Sequence, residues 1–373
     1  MNDVMGIIFT GHWDARLRDL SVLRAVAALP VIGRYRVIDF TMSSFVNSGI
    51  RNVGVIMQRN YRSLMDHLGS GKEWDLHRKN NGLFLLPPFL TRENVGVYPG
   101  LIDALRSNAS YLSRSKQEYV ILSDSTTLYN INFSDMLGTH LSSHADVTVL
   151  FSQDPSLMRS EHGTYFALDA DGYVTDMEID PIQPTFHNTS MWVILLKREL
   201  LQKLVGDAGS HGYHDMDRDI FQRLINSGDL RVKGFEYRGM AWQIDSIQSY
   251  FKMNMDFLNP NMRKCFFTDD LPIYTKIRDE MPTMYGKNGQ SVNSLVADGC
   301  VINGKVENSV LFRGVHISEE AYVKNCIIMQ DGHIYSNAYI ENCILDKQVV
   351  IKRNAKLIAP QSYPIVISKN SII

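Results

Sequence analysis

The residues best suited to chemistry near the amino end lie where the apolar run Gly6-Ile7-Ile8-Phe9-Thr10 empties into Gly11-His12-Trp13-Asp14-Ala15-Arg16-Leu17. The run predicts a buried strand, and strand, loop and helix in succession is how α/β proteins cradle phosphate at the carboxyl edge of a sheet. A cradle aims backbone N–H groups at phosphate oxygens, which calls for several glycines and no negative side chain. Here one glycine is followed by an imidazole, an indole and a carboxylate. A phosphate about 4 Å from Asp14 would be opposed by about 1 kcal/mol in water and about 4 kcal/mol at a protein-surface dielectric. Around this loop Arg16, Arg18, Arg24, Arg34 and Arg36 form a basic cluster, open to two readings: an anion site, or arginines paired with Asp14, Asp19 and Asp39.

The elements that must position these residues alternate. Strands are expected over Gly6–Thr10, Val53–Met57, Tyr119–Leu122, Asp146–Phe151, Met191–Leu196 and Leu230–Tyr237. Helices are expected over Asp39–Ser48, Tyr61–Leu68, Gly100–Leu112, Phe133–His144, Asp215–Asn226 and Ile247–Leu258, with Asn80–Val97 as loop. Asp169-Ala170-Asp171-Gly172 between two short β-type runs is a hairpin signal. The alternation predicts a mostly parallel sheet with helices on both faces, closing near residue 259. Residues 260–290, rich in Pro, Asn, Gly and Asp, read as a linker.

From residue 291 to 373 the periodicity changes. Asn308-Ser309-Val310-Leu311 recurs as Asn325-Cys326-Ile327-Ile328 and Asn342-Cys343-Ile344-Leu345, each copy seventeen residues after the last. Ile317, Ile334 and Ile351 keep that spacing, as do Val306, Val323, Ile340 and Leu357. Several columns sharing one period are the signature of hexapeptide repeats wound into a parallel β-helix, three short strands to a coil. Cys326 and Cys343 share a column with Ser309, so they are expected to be small inward residues rather than redox or metal groups. His316 and His333 precede inward isoleucines. A β-helix histidine can serve as an acyltransferase base, but an outward surface column is the preferred reading.

Composition is that of an ordinary globular protein: 373 residues, 45% apolar and 21% charged, with a formal net charge of −2. That charge gives no general attraction to nucleic acid or to an acidic membrane. No run approaches the ~18 apolar residues that span a bilayer. Met1-Asn2-Asp3-Val4 lacks the basic start of a secretory signal, so a cytoplasmic location is expected. The four cysteines show no CxxC pairing, which points to neither a zinc site nor a disulfide framework.

Arg16-Leu17-Arg18-Asp19-Leu20, Arg24-Ala25, Gly33-Arg34-Tyr35-Arg36-Val37-Ile38-Asp39-Phe40 and Asn47-Ser48-Gly49-Ile50 together resemble the N-terminal half of glucose-1-phosphate adenylyltransferase, the ADP-glucose pyrophosphorylase of glycogen synthesis. The resemblance continues to the carboxyl end. More narrowly, the chain is similar to the GlgD-type second subunit found in Gram-positive bacteria beside a catalytic GlgC-type subunit. This implies a nucleotidyltransferase-like α/β domain over 1–259, a linker over 260–290 and a left-handed parallel β-helix over 291–373.

The resemblance also implies positions for the chemistry. Nucleotidyl transfer from ATP needs positioning, neutralisation of the α-phosphate and a metal held by carboxylates. The family's Gly-Gly-x-Gly-x-Arg-Leu falls on Gly11 to Leu17, where His12 and Asp14 replace two of the glycines. Its phosphate lysine falls on Val26, a loss of about 2 to 4 kcal/mol of transition-state stabilisation. Its Ser-Gly-Asp-His becomes Ser123-Asp124-Ser125-Thr126-Thr127, with a residue inserted and Ser125 or Thr126 where the acid belongs. Its second metal carboxylate falls on Gln243, an amide without charge for Mg²⁺. Its sugar-phosphate lysine falls on Asp180, reversing the sign of the contact. Gln58, Gly100, Asp103 and His214-Asp215-Met216-Asp217-Arg218-Asp219 persist, with Asp103 and Asp215 preferred as helix caps and Gly100 as a turn.

These positions imply a regulatory, catalytically degenerate subunit with no intact catalytic set and no metal of its own, Mg²⁺ and ATP being bound by the catalytic partner. A weak nucleotide or sugar-phosphate pocket would use Gly11, Arg16, Gln58, Gly100, Asp103 and Asp124, and an anionic effector would use Arg24, Arg34 and Arg36. The expected partner is a GlgC-type subunit in a heterotetramer, with a homo-oligomer of this chain also open. The alternative is an active sugar-phosphate nucleotidyltransferase with metal held by Asp124 and Asp245 in a shifted register.

Overall fold

The computed structural model describes residues 1–11, 17–88, 97–157 and 163–373. Contacts divide these into two units. One holds the described residues of Met1–His12, Phe40–Gln243 and Leu271–Ile273; the other holds those of Trp13–Asp39, Ile244–Asp270 and Tyr274–Ile373.

The first unit is built on a nine-stranded sheet. Its central strand, Val4–Phe9, is buried at every residue and pairs in parallel with Asn52–Ile56 on one side and Tyr119–Asp124 on the other. A strand covered on both faces has no polar face to alternate with, which is why this run is continuously apolar. Gly6 is a packing requirement: a Cβ there would stand 2.4 Å from the Phe45 ring. The sheet is mixed. Asn188–Lys197 runs antiparallel to Tyr119–Asp124 and to Val147–Ser152, and the hairpin of Thr164–Leu168 and Val174–Ile179 extends one edge.

Besides the short strands Thr127–Leu128 and Trp242–Gln243, two longer elements differ from the sequence expectation. Gly82–Leu86, expected as loop, is an edge strand paired in parallel with Asn52–Ile56. Its residues are mostly half-buried, so no alternation marks it, although Asn81-Gly82 and Pro87-Pro88 bound the run. Arg198–His211 is a helix where none was expected, although its buried Leu201, Leu204, Val205 and Ala208 fall at helical spacing.

In the second unit three five-stranded parallel sheets form the faces of a left-handed β-helix. Val306, Val323, Ile340 and Leu357 pair in register, as do Ile317, Ile334 and Ile351. The seventeen-residue period is thus one coil. Each inward Val, Ile or Leu is buried by its copies above and below, worth about 1.5 to 3 kcal/mol per side chain. Cys326 and Cys343 are fully buried and unpaired as disulfides, while His316 and His333 stack at 4.7 Å on the outer face. The first coil begins inside the expected linker: Met284–Tyr285 already pairs with Val301–Ile302, and Pro260–Phe266 is a helix. Met284 and Tyr285 are exposed, so no apolar column announced them.

Residues 17–39 and 244–259 were expected with the α/β sheet, but their contacts place them in the coil-bearing unit. Arg24 donates to Asp346 at 2.7 Å with both side chains at most 3% exposed, and it reaches the Met329 sulfur at 3.5 Å. The second Asp346 oxygen accepts from the Lys347 N–H at 2.7 Å. Tyr250 Oη donates to Pro30 O at 2.6 Å, and Asn254 Oδ1 accepts from Ile32 N at 2.9 Å. Removing one member of a buried ion pair leaves the other charge uncompensated, whereas replacing both with apolar side chains is often close to neutral. Asp346→Ala should therefore cost about 3 to 5 kcal/mol in urea unfolding and Arg24→Met/Asp346→Leu much less. Equal losses for the two would contradict this account of the pair.

Candidate functional site

The carboxyl ends of the central strands bring several of the singled-out residues to one edge of the sheet. Phe9 and Asp124 are Cα partners at the ends of their strands, and Thr10 N donates to Ile56 O at 3.1 Å. Gln58, just past Ile56, is clamped to the backbone of Tyr98: its Nε2 donates to Tyr98 O and its Oε1 accepts from Tyr98 N, both at 3.2 Å. Gly11 lies under that side chain, with a Cβ there falling 2.5 Å from Gln58 Cγ. Gly100 precedes the helix Leu101–Ser107 in extended conformation, and a Cβ on it would meet His214 O at 2.1 Å.

Asp103, expected as a cap, accepts instead from His214 Nδ1 at 2.7 Å, so the side chain ties its helix to the His214 segment. Asp215 does cap, accepting from the N–H groups of Asp217 and Arg218 at 2.9 Å each. These contacts make Gln58, Gly100 and Asp103 braces of the edge.

Asp124 is the singular group. It is 2% exposed; one carboxylate oxygen accepts from the Thr126 hydroxyl, and Oδ1 has no hydrogen-bond partner among the described residues. Burial pushes its carboxyl up to about 7, against the pull of the Thr126 hydroxyl and N–H. A small cavity beside it is walled by Phe9, Leu101, Leu122 and Trp192. Trp192 takes φ +53 where the pairing of Asn188–Lys197 with Val147–Ser152 shifts register, a conformation costly for a bulky residue.

Gln243 is close by in topology. Trp242–Gln243 pairs antiparallel with Thr127–Leu128, so Gln243 stands opposite Thr127, three residues after Asp124. Gln243, one position where the family would carry a metal carboxylate, thus stands beside the Ser125-Thr126 segment that holds the other, while Asp124 ends the separate strand Tyr119–Asp124. The polar groups there are the Ser125 and Thr126 hydroxyls, the Gln243 amide and the Asp124 carboxyl, which burial raises to about 7. A divalent magnesium clamp needs charged oxygen ligands, and this set does not fit it.

On the sugar side, Asp180 takes φ +52, its N–H donates to Gly163 O at 2.9 Å, and its carboxylate pairs with Arg218 at 3.5 Å. Asp217, which sequence reasoning passed over, is buried and accepts from Thr164 Oγ1 at 2.8 Å; burial pushes it up to about 7. It lies within the His214–Asp219 segment that was read as persisting, where nothing in the residue types marked it apart. Trp192 had no signal either.

In the coil-bearing unit Val26 is 1% exposed within a single helical turn, Val26–Ala28. Asp245 accepts from Ser249 Oγ at 2.9 Å, at the start of the helix Ile247–Asp256. Arg24, expected at an anion site, spends its guanidinium on Asp346. Arg34 is exposed over the Tyr35 ring, and Arg36 is 9% exposed, its N–H donating to Asp39 at 2.8 Å. His12, Asp14 and Arg16 lie outside the described residues. Among the described residues no helix is long and apolar enough to cross a membrane.

Comparison with known proteins agrees with this architecture. The nucleotidyl transferase family model matches residues 5–259, and the GlmU-like C-terminal hexapeptide model matches residues 280–358. Glycogen biosynthesis protein GlgD of Bacillus subtilis (strain 168) is 37% identical over 374 residues, covering 100% of this chain and 97% of that protein. Glucose-1-phosphate adenylyltransferase of Geobacillus stearothermophilus is 30% identical over 322 residues, 86% of this chain and 83% of that protein. The enzyme of the same name from Thermotoga sp. (strain RQ2) is 32% identical over 327 residues, 87% and 77%. With a strand-edge site on a nucleotidyltransferase sheet, a hexapeptide β-helix and this similarity along its length, the chain belongs to the glucose-1-phosphate adenylyltransferase and GlgD family of glycogen biosynthesis.

Proposed function

We propose that this chain is a regulatory, catalytically degenerate subunit that modulates a catalytic GlgC-type sister chain, which converts ATP and glucose-1-phosphate to ADP-glucose and diphosphate. One observation carries the reading. Where two charged carboxylates would hold Mg²⁺, this chain has a hydroxyl side chain, Ser125 or Thr126, and the amide of Gln243, with Asp124 buried at the end of the preceding strand. Mg²⁺ and ATP then belong to the partner. The burial of Val26 and the Asp180–Arg218 pair support the same reading, since each turns a position of phosphate contact in the family toward the protein itself.

The alternative, an active transferase with metal shared by Asp124 and Asp245, finds less support. Asp245 is held by Ser249 at a helix start, and Asp124 would have to lose a proton with burial, rather than any cation, as the main influence on its carboxyl.

The regulatory half of the proposal draws on cations in the coil-bearing unit. Lys347 is pushed down to about 7 by burial and by Arg36, Arg24 and Arg278. Arg313 is pushed down by burial, Arg34 and Arg278, and its Nε is buried without a hydrogen-bond partner among the described residues. Asp346 opposes this at Lys347, and Asp298 and Glu280 oppose it at Arg313; a bound anion would relieve the like-charge excess that remains. Arg34 and Arg36 are therefore proposed as effector residues together with Arg313 and Lys347.

Two outcomes are expected. With ATP, glucose-1-phosphate and Mg²⁺, the purified chain forms ADP-glucose at least ~10²-fold more slowly than the catalytic subunit, in line with loss of a transition-state contact. Adding it to that subunit changes the rate or its response to inorganic phosphate, and Lys347→Met/Arg313→Met suppresses the phosphate response. Identical rates and responses for the catalytic subunit alone and for the mixture would contradict the proposal.

The second concerns pH. The Asp124 carboxyl stands at about 7 in the folded chain, above its value of about 3.9 in an unfolded one. The folded state holds the extra proton, so this group's contribution to stability falls as pH rises from about 4 to 7. Asp124→Asn should stabilise the chain by ~2 to 4 kcal/mol at pH 8, with the gain vanishing near pH 4. No gain at pH 8, or a melting temperature that Mg²⁺ raises only when Asp124 is present, would restore a metal to the site.

A further inference from the structure

A cavity of about 660 Å³ in the coil-bearing unit lies between one corner of the β-helix and the helix Ile247–Asp256. That size is within the range of small-ligand sites. The helix has two working faces. Tyr250 and Asn254 bind the Pro30–Ile32 segment, while Gln248, Phe251, Lys252 and Met255 line the cavity at i, i+3, i+4 and i+7.

The opposite wall is a column of carboxamides, Asn293, Asn308, Asn325 and Asn342, one from each successive coil and about 4.8 Å apart. All four take positive φ, between 43° and 55°, which asparagine tolerates. The backbone alone does not explain them. The other corners reach positive φ with Gly299, Gly314, Asp331 and Gln348, and with Glu320, Asn337 and Asn354. This corner is asparagine in four successive coils, ending at Ala359 in the fifth, whereas the other corners mix residue types.

The amide ladder is interrupted at its middle. Asn293 Nδ2 donates to Asn308 Oδ1 at 2.7 Å, Asn325 Nδ2 to Asn342 Oδ1 at 3.2 Å, and Asn342 Nδ2 to Ala359 O at 2.7 Å. Among the described residues no bond joins Asn308 to Asn325, which leaves the Asn308 amide N–H groups and the Asn325 amide oxygen side by side. The last coil departs from the repeat: Ile367 pairs with Leu345, 22 residues earlier, and the added loop contributes Gln361, Ser362 and Pro364 as a third wall. Insertions in repeat folds are commonly placed on the binding face.

The formal charges at this cavity are Lys252 and Asp256, paired with each other at 2.9 Å. The cavity is therefore neutral, offers donors and acceptors at a regular step, and has the apolar surface of Phe251, Met255 and Pro364. An uncharged polyol has matching chemistry, since its hydroxyls pair with amides and its C–H faces pack on apolar side chains. We infer that this groove binds an uncharged oligosaccharide, an α-glucan. The choice of α-glucan rests on the glycogen function proposed above, while the class of ligand rests on the groove.

The test is titration of the full chain with maltoheptaose, followed by saturation-transfer NMR and by melting temperature, with no nucleotide or partner subunit present. Its failure is thus separate from failure of the regulatory reading. Saturable binding is expected, with an upward shift in melting temperature as the sugar is added. Asn308→Gly/Asn325→Gly, which keeps the positive φ, should melt close to the parent and bind at least ~10-fold more weakly. Met255→Trp, which fills the groove from the helix side, should show the same loss should the glycine pair fail to fold. The inference is overturned by the absence of saturable binding in the parent, or by unchanged affinity in a folded variant.

Discussion

A carboxyl group withdrawn from water must be paired, neutralised by a proton, or used to hold a cation. At the end of the strand Tyr119–Asp124 the chain supplies Asp124 with the hydroxyl and N–H of Thr126, and leaves its second oxygen against an apolar wall. The proton is the remaining solution near neutral pH. Near neutral pH that carboxyl exchanges between a protonated form that donates a hydrogen bond and an ionised form, and on the proposed reading no cation takes the proton's place. Gln58 on Tyr98 and Asp103 on His214 brace the same edge.

The second unit is organised by a different physics. Its repeating apolar columns need only copies of themselves, so the coils stack without reference to any chemistry at the sheet edge. What is specific lies where the repeat is broken or loaded with charge: at Arg24 and Asp346, at the cations about Lys347 and Arg313, and at the asparagine corner with its inserted loop. On the proposed reading, such an architecture acts through contact and effector binding, because both depend on surfaces rather than on a competent reaction centre.

Much of this was legible in the residues. The seventeen-residue columns gave away the coil register, because independent positions keep one common period only when each coil repeats the geometry of the one before it. The first strand was legible because a fully buried strand is apolar throughout. Gln243 and Asp180 were legible as changes of charge type. The burial of Asp124 was not, since an aspartate ending a strand has the same sequence signature whether it faces water or Phe9 and Trp192. The Arg24–Asp346 pair joins residues 322 apart with no local pattern to announce it. The half-exposed edge strand Gly82–Leu86 and the exposed first-coil strand Met284–Tyr285 lacked the alternation that betrays a buried face. The helix Arg198–His211 carried its signal in plain view.

The central claim, that the sheet edge of this chain does not assemble a metal–nucleotide complex, is tested most directly by isothermal titration of the isolated chain with ATP in the presence and absence of Mg²⁺. The account predicts that Mg²⁺ adds no binding heat and no affinity, whatever weak nucleotide contact exists without it. Saturable ATP binding that requires Mg²⁺ and is lost in Asp124→Asn would contradict it.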